Sequence, residues 1–507
     1  MNRLVVVSNR VPTANAGAPS GGLAVALDGL MEKRGGLWFG WSGAIVAGAG
    51  GTTVCVRHDA RVDYATIDLT PEEHDRYYNN FANGVLWPLL HTMPELMQFD
   101  RRDAEVYRGV NARMAATLQP LLRPSDLVWI HDFHLLPLAA CLRGRGVTNP
   151  IGFFLHVPFA SADVLSAAPE MGNLVRDLLA ADLIGFQTAN DLANFVVAAE
   201  MFAGAERLAG SVLDVAGRRV RLGVFPVEIE PHGFAELAQR MAGSAEAERL
   251  RRSLYGQHLI LGVERLDPTK GLLQRLSGMR RLLERHPGWV RRATLLQVAA
   301  LSRKEVGSYR ALRVSLDREA GSLNADLAEA DWQPLRLVTR AIDRSLAAGY
   351  MRMARVGLVT PLRDGMNLVA KEFVAAQAPE DPGVLVLSRF AGAAQQLDGA
   401  LLINPHDADA MAEALDVALA MPLAERRERW QSMWSAIAER SPLVWGRAFV
   451  ATLLRATAIA PVPVAVPEMR LRTVGDHGSQ AAVSSELVLA EPRRSPALMP
   501  VMMPGRV

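Results

Sequence analysis

Short apolar runs recur along this chain, and each is followed by polar or glycine-rich residues and then by a longer stretch with helical periodicity. Runs that are apolar on both faces are typical of parallel strands covered by helices. The pattern therefore predicts an α/β fold. The runs are Leu4–Val7, Leu127–Ile130, Ile151–Leu155, Leu183–Phe186, Val220–Phe225, Leu259–Val263, Thr294–Val298, Val356–Val359 and Gly383–Leu387.

The runs fall into two sets, separated by a proline turn and a charged, alanine-rich helical stretch at residues 228–257. This arrangement predicts two Rossmann-like parallel-sheet domains facing a cleft, at residues 1–232 and 233–440. We expect residues 441–460 to form a helix that crosses back to the first domain. Residues 461–507 hold seven of the 29 prolines and show no sustained period, which predicts a disordered tail.

Composition narrows the classes of partner. Lys and Arg number 55 against 53 Asp and Glu, and a net charge of +2 leaves no basic surface of the kind that nucleic acids need. Residues 35–56 carry no charge but are rich in glycine, which favours strand, loop and strand over a membrane span. Two cysteines, and a first segment that reads as a strand rather than a leader, lead us to expect a cytoplasmic protein.

Polar residues gather where the predicted strands end. Arg10 lies at the carboxyl end of the strand predicted from the first run, and Gly21 and Gly22 then open a helix where backbone N–H groups can approach a phosphate. Arg265 and Lys270 follow a strand of the second set, and they suit a diphosphate about as well as they suit solvent. The paired glycines have neither the spacing of a dinucleotide-binding fingerprint nor that of a P-loop.

Two further strands end in histidines. The strand within LVWIHDFHLLP (127–137) ends in His131, Asp132 and His134. His156 follows the strand within GFFLHVPF (152–159). The spacing is not HExxH and no cysteine accompanies it, so a hydrogen-bonding cluster is favoured over a metal site, which stays open as the alternative. Asp132 is well placed to bind a sugar hydroxyl, whereas a lone histidine such as His156 is usually structural.

The segment LVTPLRDGMNLVAKEF (358–373) also has two interpretations, because Arg363, Asp364 and Gly365 come shortly after a buried strand. An ordinary strand-to-helix turn would explain it, and so would a ligand site. The carboxyl ends of parallel strands and the helix N-termini that follow them are where α/β proteins bind phosphorylated ligands. Because all of these candidate groups lie at the same end of a strand, a site for two phosphorylated ligands is the economical interpretation.

Taken together, the motifs resemble those of the trehalose-6-phosphate synthases, a family of retaining glucosyltransferases with the GT-B architecture. The resemblance covers about residues 3–458. It rests on SNR, SGGLA, GLWFGWSG, YYNNFANGVLWP, WIHDFHLLP, GFFLHVPF, ERLDPTKGL and LVTPLRDGMNLVAKEF, in the order of the family. It implies a nucleoside diphosphate glucose as donor, glucose 6-phosphate as acceptor, and no metal or other cofactor.

The resemblance also assigns residues. The acceptor would be bound by Arg10, Tyr78, Trp87, Asp132 and Arg303. The donor would be bound by Gly21, Gly22, His156, Arg265, Lys270, Ile342, Asp364, Leu368, Val369, Ala370, Lys371 and Glu372. Within the donor set, the backbone from Leu368 to Lys371 would line the diphosphate and nucleoside region, Glu372 would bind the ribose and Ile342 would adjoin the base. Catalysis would fall to Asp132, His156, Arg265, Lys270 and Asp364.

The family keeps the α configuration of the transferred glucose, and the motifs offer no clear carboxylate nucleophile. We therefore expect front-face attack, with Arg265 and Lys270 stabilising the leaving diphosphate. Two positions depart from the family. Glu228 stands where glycine is usual, and Ile342 stands where an aromatic residue is frequent, which leaves the choice among UDP-, ADP- and GDP-glucose open.

Alternatives remain at this stage. A glucosylglycerol-phosphate synthase would use the same chemistry with ADP-glucose and glycerol 3-phosphate. A catalytically silent regulatory subunit of a trehalose-synthesising complex would be expected to lack some of the cations and carboxylates that are present here. A pyridoxal-dependent phosphorylase shares the architecture, but no cofactor lysine can be nominated. We also expect a homo-oligomer, a dimer or tetramer, and trehalose-6-phosphate phosphatase as the pathway partner.

Overall fold

The computed structural model describes residues 2–12, 22–48, 53–303 and 305–457. The strands in these ranges form two sheets, which confirms the predicted α/β class with two sheets. The strands are β1 (Leu4–Arg10), β2 (Gly36–Ile45), β3 (Cys55–Asp59), β4 (Val62–Leu69), β5 (Leu127–His131), β6 (Ile151–Phe154), β7 (Leu183–Phe186), β8 (Glu206–Leu208), β9 (Val212–Val215), β10 (Arg218–Val224), β11 (His258–Arg265), β12 (Ala293–Ala300), β13 (Leu335–Val338), β14 (Val356–Val359), β15 (Val384–Ser388) and β16 (Leu401–Ile403).

Helices connect the strands and cover the sheets. They are α1 (Gly22–Arg34), α2 (Pro71–Glu73), α3 (Trp87–Leu90), α4 (Arg101–Leu118), α5 (Leu138–Gly144), α6 (Ala162–Leu165), α7 (Met171–Leu178), α8 (Ala189–Ala203), α9 (Pro231–Ala242), α10 (Ala245–Ser253), α11 (Leu272–Arg285), α12 (Gly307–Leu327), α13 (Arg344–Met353), α14 (Leu368–Ala376), α15 (Ala408–Ala420), α16 (Leu423–Ile437) and α17 (Pro442–Thr457). A π-helix at His74–Leu86 joins α2 to α3. Short 3₁₀ turns occur at Pro94–Leu96, Gln119–Leu121, Phe133–Leu135, Pro268–Lys270, Pro287–Trp289 and Gly392–Gln395.

The first sheet has the order β3-β4-β2-β1-β5-β6-β7-β10-β9-β8, and the second has the order β13-β12-β11-β14-β15-β16. The second sheet is parallel, as predicted. The first sheet is parallel in its centre but antiparallel at both edges, where β3 pairs with β4 and β8 and β10 pair with β9. Ala216 (φ 51°) and Gly217 (φ 84°) explain one edge, because two left-handed residues make a tight hairpin turn.

The chain crosses between the sheets twice. The first crossing leads from β10 through residues 225–230 into α9, within the predicted linker. The second follows α16, after which α17 packs against the first sheet. There Trp129 of β5 lies between Trp445 and Phe449, with ring centroids 4.8 Å and 4.4 Å away. Residues 441–457 thus return to the first sheet, and the predicted tail at 461–507 lies outside the described residues.

A helix must be about 20 residues long and predominantly apolar to span a bilayer. In the described parts of the chain, no helix is both long enough and apolar enough to span it.

Candidate active site

The carboxyl ends of strands from both sheets meet at one cleft. Trp87, from the first half of the chain, donates its indole N–H to the carboxylate of Asp267 in the second half at 3.3 Å. Nearby, a Cβ placed on Gly365 would lie 2.3 Å from the carbonyl oxygen of His156, so only glycine allows the two backbones to come this close. The cleft therefore lies between the two sheets, as predicted.

We group the predicted side chains by the half of the chain that supplies them. The N-terminal wall comprises Arg10, Tyr78, Trp87, Asp132 and His156. The C-terminal wall comprises Arg265, Lys270, Arg303, Asp364 and Glu372.

Aromatic rings dominate the N-terminal wall. Tyr78 projects from the π-helix, stacks on His134 with ring centroids 5.8 Å apart and lies 5.7 Å from the ring of Trp41. The guanidinium carbon of Arg10 lies 5.8 Å from the centre of the Trp41 ring, and this arginine is exposed. π-Helical turns are frequent at functional sites.

Trp87 is the meeting point of the two walls. Its ring lies 4.0 Å from the guanidinium carbon of Arg303 and 5.6 Å from that of Arg265. Both arginines thus make cation–π contacts with the same aromatic ring. Arg303 is almost buried and has φ 45°, whereas the side chain of Arg265 is 48% exposed and accessible from the cleft.

Asp267 organises these groups, and it was not singled out from the sequence. This fully buried carboxylate accepts a hydrogen bond from Tyr309 Oη at 2.9 Å and from the backbone N–H of Thr269 at 3.0 Å. It lies 3.6 Å from Arg303 and 3.7 Å from Arg265. Burial alone would raise the pKa of Asp267, but Arg303, Arg265 and Lys270 lower it below its ordinary value. It is therefore an anion shared by both sides of the cleft.

Asp132 lies at the end of β5 in a strained backbone conformation, with φ 77° and ψ 168°, a region almost restricted to glycine. Its carboxylate accepts the backbone N–H of His156 at 3.2 Å. Burial raises the pKa of Asp132 to about 6, although hydrogen bonds and the charges of Arg303 and Arg265 oppose the rise. The carboxylate is thus ionised at neutral pH and close to protonation.

The histidines form a neutral cluster. His156 Nε2 lies 3.1 Å from His131 Nδ1, so one ring donates to the other. Burial lowers the pKa of His156 and of His134 to about 3 and that of His131 well below its ordinary value. His131 and His156 thus form a hydrogen-bonded pair, whereas neither ring nitrogen of the buried His134 has a hydrogen-bond partner among the described residues. In those parts of the chain, no group of three or more His, Cys, Asp or Glu is arranged to hold a metal ion.

Lys270 and Asp364 form an ion pair on the C-terminal wall. Burial would raise the pKa of Asp364, but Lys270 lowers it overall, so this carboxylate is charged. Asn367, with φ 71°, donates from its amide to Asp364 at 3.2 Å and accepts the backbone N–H of Ala370 at 3.1 Å, which caps α14. Residues 358–373 therefore place the carboxylate of Asp364 beside the N-terminus of α14.

The other residues predicted for the donor are residues 368–372, at the start of α14, and Ile342, just before α13. Ile342, Leu368 and Val369 are half-buried and pack against the same apolar core, and Ala370 is buried. Glu372 is held by Arg344, whose Nε and Nη2 both lie 2.8 Å from Oε1 of the carboxylate. Burial raises the pKa of Glu372, and Arg344 opposes the rise.

The three remaining residues predicted for the donor are Gly21, Gly22 and Lys371. Gly22 begins α1, whereas Gly21 lies outside the described residues. The side chain of Lys371 is fully buried and turns away from the cleft to Glu228. Only its backbone, the part named in the prediction, lies in the first turn of α14.

The chain matches the model of Glycosyltransferase family 20 over residues 3–455. A trehalose-6-phosphate synthase of Sinorhizobium fredii is 44% identical over 453 residues, which cover 89% of this chain and 98% of the relative. Among solved structures, an alpha,alpha-trehalose-phosphate synthase (UDP-forming) from Burkholderia xenovorans in complex with glucose-6-phosphate has 44% identity and a TM-score of 0.86, covering 89% of this chain and 100% of its own. A structure from E. coli bound with UDP-2-fluoro glucose has 42% identity and a TM-score of 0.84, covering 89% and 99%.

These matches extend over both sheets and the cleft between them, and they agree with the resemblance drawn from the motifs. The likeness in structure at more than 40% identity also supports the GT-B architecture. The chain belongs to glycosyltransferase family 20.

Proposed function

We propose that this protein is a trehalose-6-phosphate synthase, which transfers glucose from UDP-glucose to glucose 6-phosphate and yields α,α-trehalose 6-phosphate and UDP. The observation that carries the proposal is the meeting of the two walls at Trp87 and Asp267. The relatives support the choice of substrates, since one is UDP-forming with bound glucose-6-phosphate and another holds UDP-2-fluoro glucose.

The acceptor belongs beside Trp87 in this proposal. Arg10 and Arg303 supply positive charge for its phosphate, and arginine suits phosphate because its guanidinium can donate two parallel hydrogen bonds. Tyr78 and Trp87 shape the space for the sugar, and Asp132 accepts a hydrogen bond from one of its hydroxyls. At neutral pH the Asp132 carboxylate is ionised and able to accept, because its pKa is about 6.

The donor belongs against the C-terminal wall. Its diphosphate lies near Arg265, Lys270 and the N-terminus of α14, where the first N–H groups of the helix have no partner inside the helix. Asp364 accepts hydroxyl groups of the glucose, and Glu372 binds the ribose. Two contacts from Arg344 fall on Oε1 of Glu372, so Oε2 is the oxygen assigned to the ribose hydroxyl.

Transfer then takes place on one face of the donor glucose. The bond between its anomeric carbon and the diphosphate oxygen breaks, and a bond from that carbon to the anomeric oxygen of the acceptor forms on the same face. The acceptor proton passes to the departing phosphate oxygen. Arg265 and Lys270 stabilise the negative charge that accumulates on UDP, and His156 donates no proton because its ring is neutral near pH 7.

The product keeps its phosphate, so a phosphomonoester hydrolase must act on it before free trehalose can form. This supports trehalose-6-phosphate phosphatase as the pathway partner. The dimer or tetramer remains a prediction, which light scattering on the purified protein can check.

The test is to incubate the protein with glucose 6-phosphate and each of UDP-, ADP- and GDP-glucose, measuring released nucleoside diphosphate and the linkage of the product by NMR. The proposal predicts an α,α-linked disaccharide phosphate, with UDP-glucose as the best donor. A protein that prefers glycerol 3-phosphate as acceptor would instead be a glucosylglycerol-phosphate synthase. Binding of UDP-glucose without transfer would support the regulatory subunit.

A further inference from the structure

Glu228, which the motif resemblance marks as a departure from the family, has partners from several parts of the molecule in the structure. It lies in the first crossing between the sheets and is 5% exposed. Its Oε2 accepts a hydrogen bond from Lys371 Nζ at 2.6 Å. Its Oε1 accepts hydrogen bonds from Gln396 Nε2 and Arg440 Nη1, each at 3.2 Å. A residue that reads as an anomaly in the sequence is thus fully hydrogen-bonded in the fold.

The partners of Glu228 come from three separate parts of the molecule. Lys371 belongs to α14, the helix that carries the proposed donor site. Arg440 lies in the second crossing, between α16 and α17, and Gln396 follows β15. One carboxylate therefore joins both crossings of the chain to the donor helix.

The ammonium group of Lys371 reinforces this connection. It is fully buried and also donates to the carbonyl of Val227 at 2.8 Å. Burial lowers the pKa of Lys371 to about 8, and the carboxylate of Glu228 keeps it from falling further. A buried charge that loses its anionic partner is strongly destabilised, so the position of Lys371 depends on Glu228.

A second contact leads from the same crossing to the N-terminal wall. The buried side chain of Gln187 accepts the backbone N–H of Val227 at 2.9 Å and donates to the carbonyl of His156 at 3.5 Å. Val227 and Glu228 are adjacent, so the crossing touches α14 on one side and the loop of His156 on the other. A shift at Glu228 would therefore change how α14 faces the loop of His156.

We propose that Glu228 is a positioning residue, which holds α14 in register with the N-terminal wall through Lys371 and thereby sets the affinity for the nucleoside diphosphate. The proposal rests on the proposed function, because it takes the first turn of α14 as the donor site. Glu228 itself touches neither substrate. Its replacement should therefore weaken donor binding while the acceptor groups near Trp87 remain in place.

The first test compares Glu228→Gln with the matched control Glu230→Gln, which changes an exposed glutamate two residues away. For Glu228→Gln we expect about a tenfold rise in the Kd for UDP, measured by calorimetry, and in the KM for UDP-glucose. The KM for glucose 6-phosphate should stay within about twofold of the unaltered value. Glu228→Asp, which keeps the charge, should restore most of the affinity, and Glu230→Gln should bind UDP normally.

A second variant keeps the test valid if Glu228→Gln does not fold. Glu228→Gln combined with Lys371→Met removes both charges and leaves no unpaired ammonium in the interior. The proposal predicts the same loss of UDP affinity in this folded variant. A folded single or double variant that binds UDP like the unaltered protein overturns the inference and leaves the proposed function intact. If the unaltered protein neither binds UDP nor transfers glucose, the proposed function fails, and the inference fails with it.

Discussion

The two walls of the cleft differ in the kind of chemistry that they present. The N-terminal wall combines aromatic rings and the uncharged His156 with the exposed Arg10 and the carboxylate of Asp132. The C-terminal wall is built from ion pairs, such as Lys270 with Asp364 and Arg344 with Glu372. The difference suggests that one wall recognises the shape of a sugar, whereas the other exchanges its internal ion pairs for contacts with an anionic ligand.

The largest effect is expected where the C-terminal wall stabilises the leaving group. Arg265→Ala and Lys270→Ala should each lower turnover about a hundred- to a thousandfold, because each removes a preorganised positive charge from the departing diphosphate. Initial rates at saturating concentrations of both substrates measure this loss of turnover.

Arg313→Ala, which removes an arginine paired with Asp317 on α12, serves as the control and should retain normal turnover. Near-normal turnover in both cleft variants would mean that these cations do not stabilise the leaving group.

The next effect concerns the group that joins the two walls. Asp267→Asn keeps the size of the side chain but removes the charge that holds Arg265 and Arg303. Hydrogen bonds to charged groups contribute about 1.5–3 kcal/mol, so we expect kcat/KM to fall about 10- to 100-fold for donor and acceptor alike.

Asp326→Asn is a matched control, since this aspartate pairs with Arg280 at the surface. A loss confined to one substrate would show that Asp267 belongs to one wall only.

The carboxylate of the N-terminal wall should produce a pH dependence. The pKa of Asp132 is raised to about 6, so the group takes up a proton as the pH falls through that value and can no longer accept from the acceptor hydroxyl as an anion. We therefore expect kcat/KM for glucose 6-phosphate to fall below pH 6, as measured from pH 5 to 8.

The second ionisation of a phosphate monoester also lies near pH 6, and Asp132→Asn separates the two effects. The variant should show the shallower profile of the substrate alone. Profiles of identical shape would remove Asp132 from the acceptor site.

The smallest effect is expected at the contact between the walls. Trp87→Phe keeps a ring beneath Arg303 but removes the N–H that donates to Asp267 at 3.3 Å. A net hydrogen bond contributes about 0.5–1.5 kcal/mol, so the KM for glucose 6-phosphate should rise about two- to tenfold.

Trp434→Phe on α16, whose ring stacks on Trp430, provides the control. An unchanged KM in Trp87→Phe would indicate that the indole N–H has no part in holding the acceptor.

Much of the architecture could be predicted from the sequence, because buried strands and their polar ends have a local signature. Lys270 and Asp364 are 94 positions apart, yet both follow parallel strands of one sheet, so their proximity follows from topology. The antiparallel edges were missed, since short half-exposed strands lack the continuous apolar run that marked the central strands.

The missed site residues owe their roles to partners from other elements. Asp267 lies inside the motif ERLDPTKGL, where it reads as a turn residue. The signal that could have identified it is its position between two cations, Arg265 and Lys270. Arg344 and Glu372 are joined only when α13 packs beside α14. Glu228 was recognised as a departure, but Lys371 lies 143 positions away in the other half of the chain, and no local pattern links them.

The central claim is that one cleft holds both substrates between these walls. A crystal structure of the protein with UDP and glucose 6-phosphate tests it most directly. We predict that the sugar phosphate contacts Arg10 and Arg303 while the diphosphate of UDP contacts Arg265 and Lys270, with both ligands in the same cleft. Ligands bound on separate faces of the molecule, or a glucose 6-phosphate distant from Trp87 and Asp132, would contradict the account.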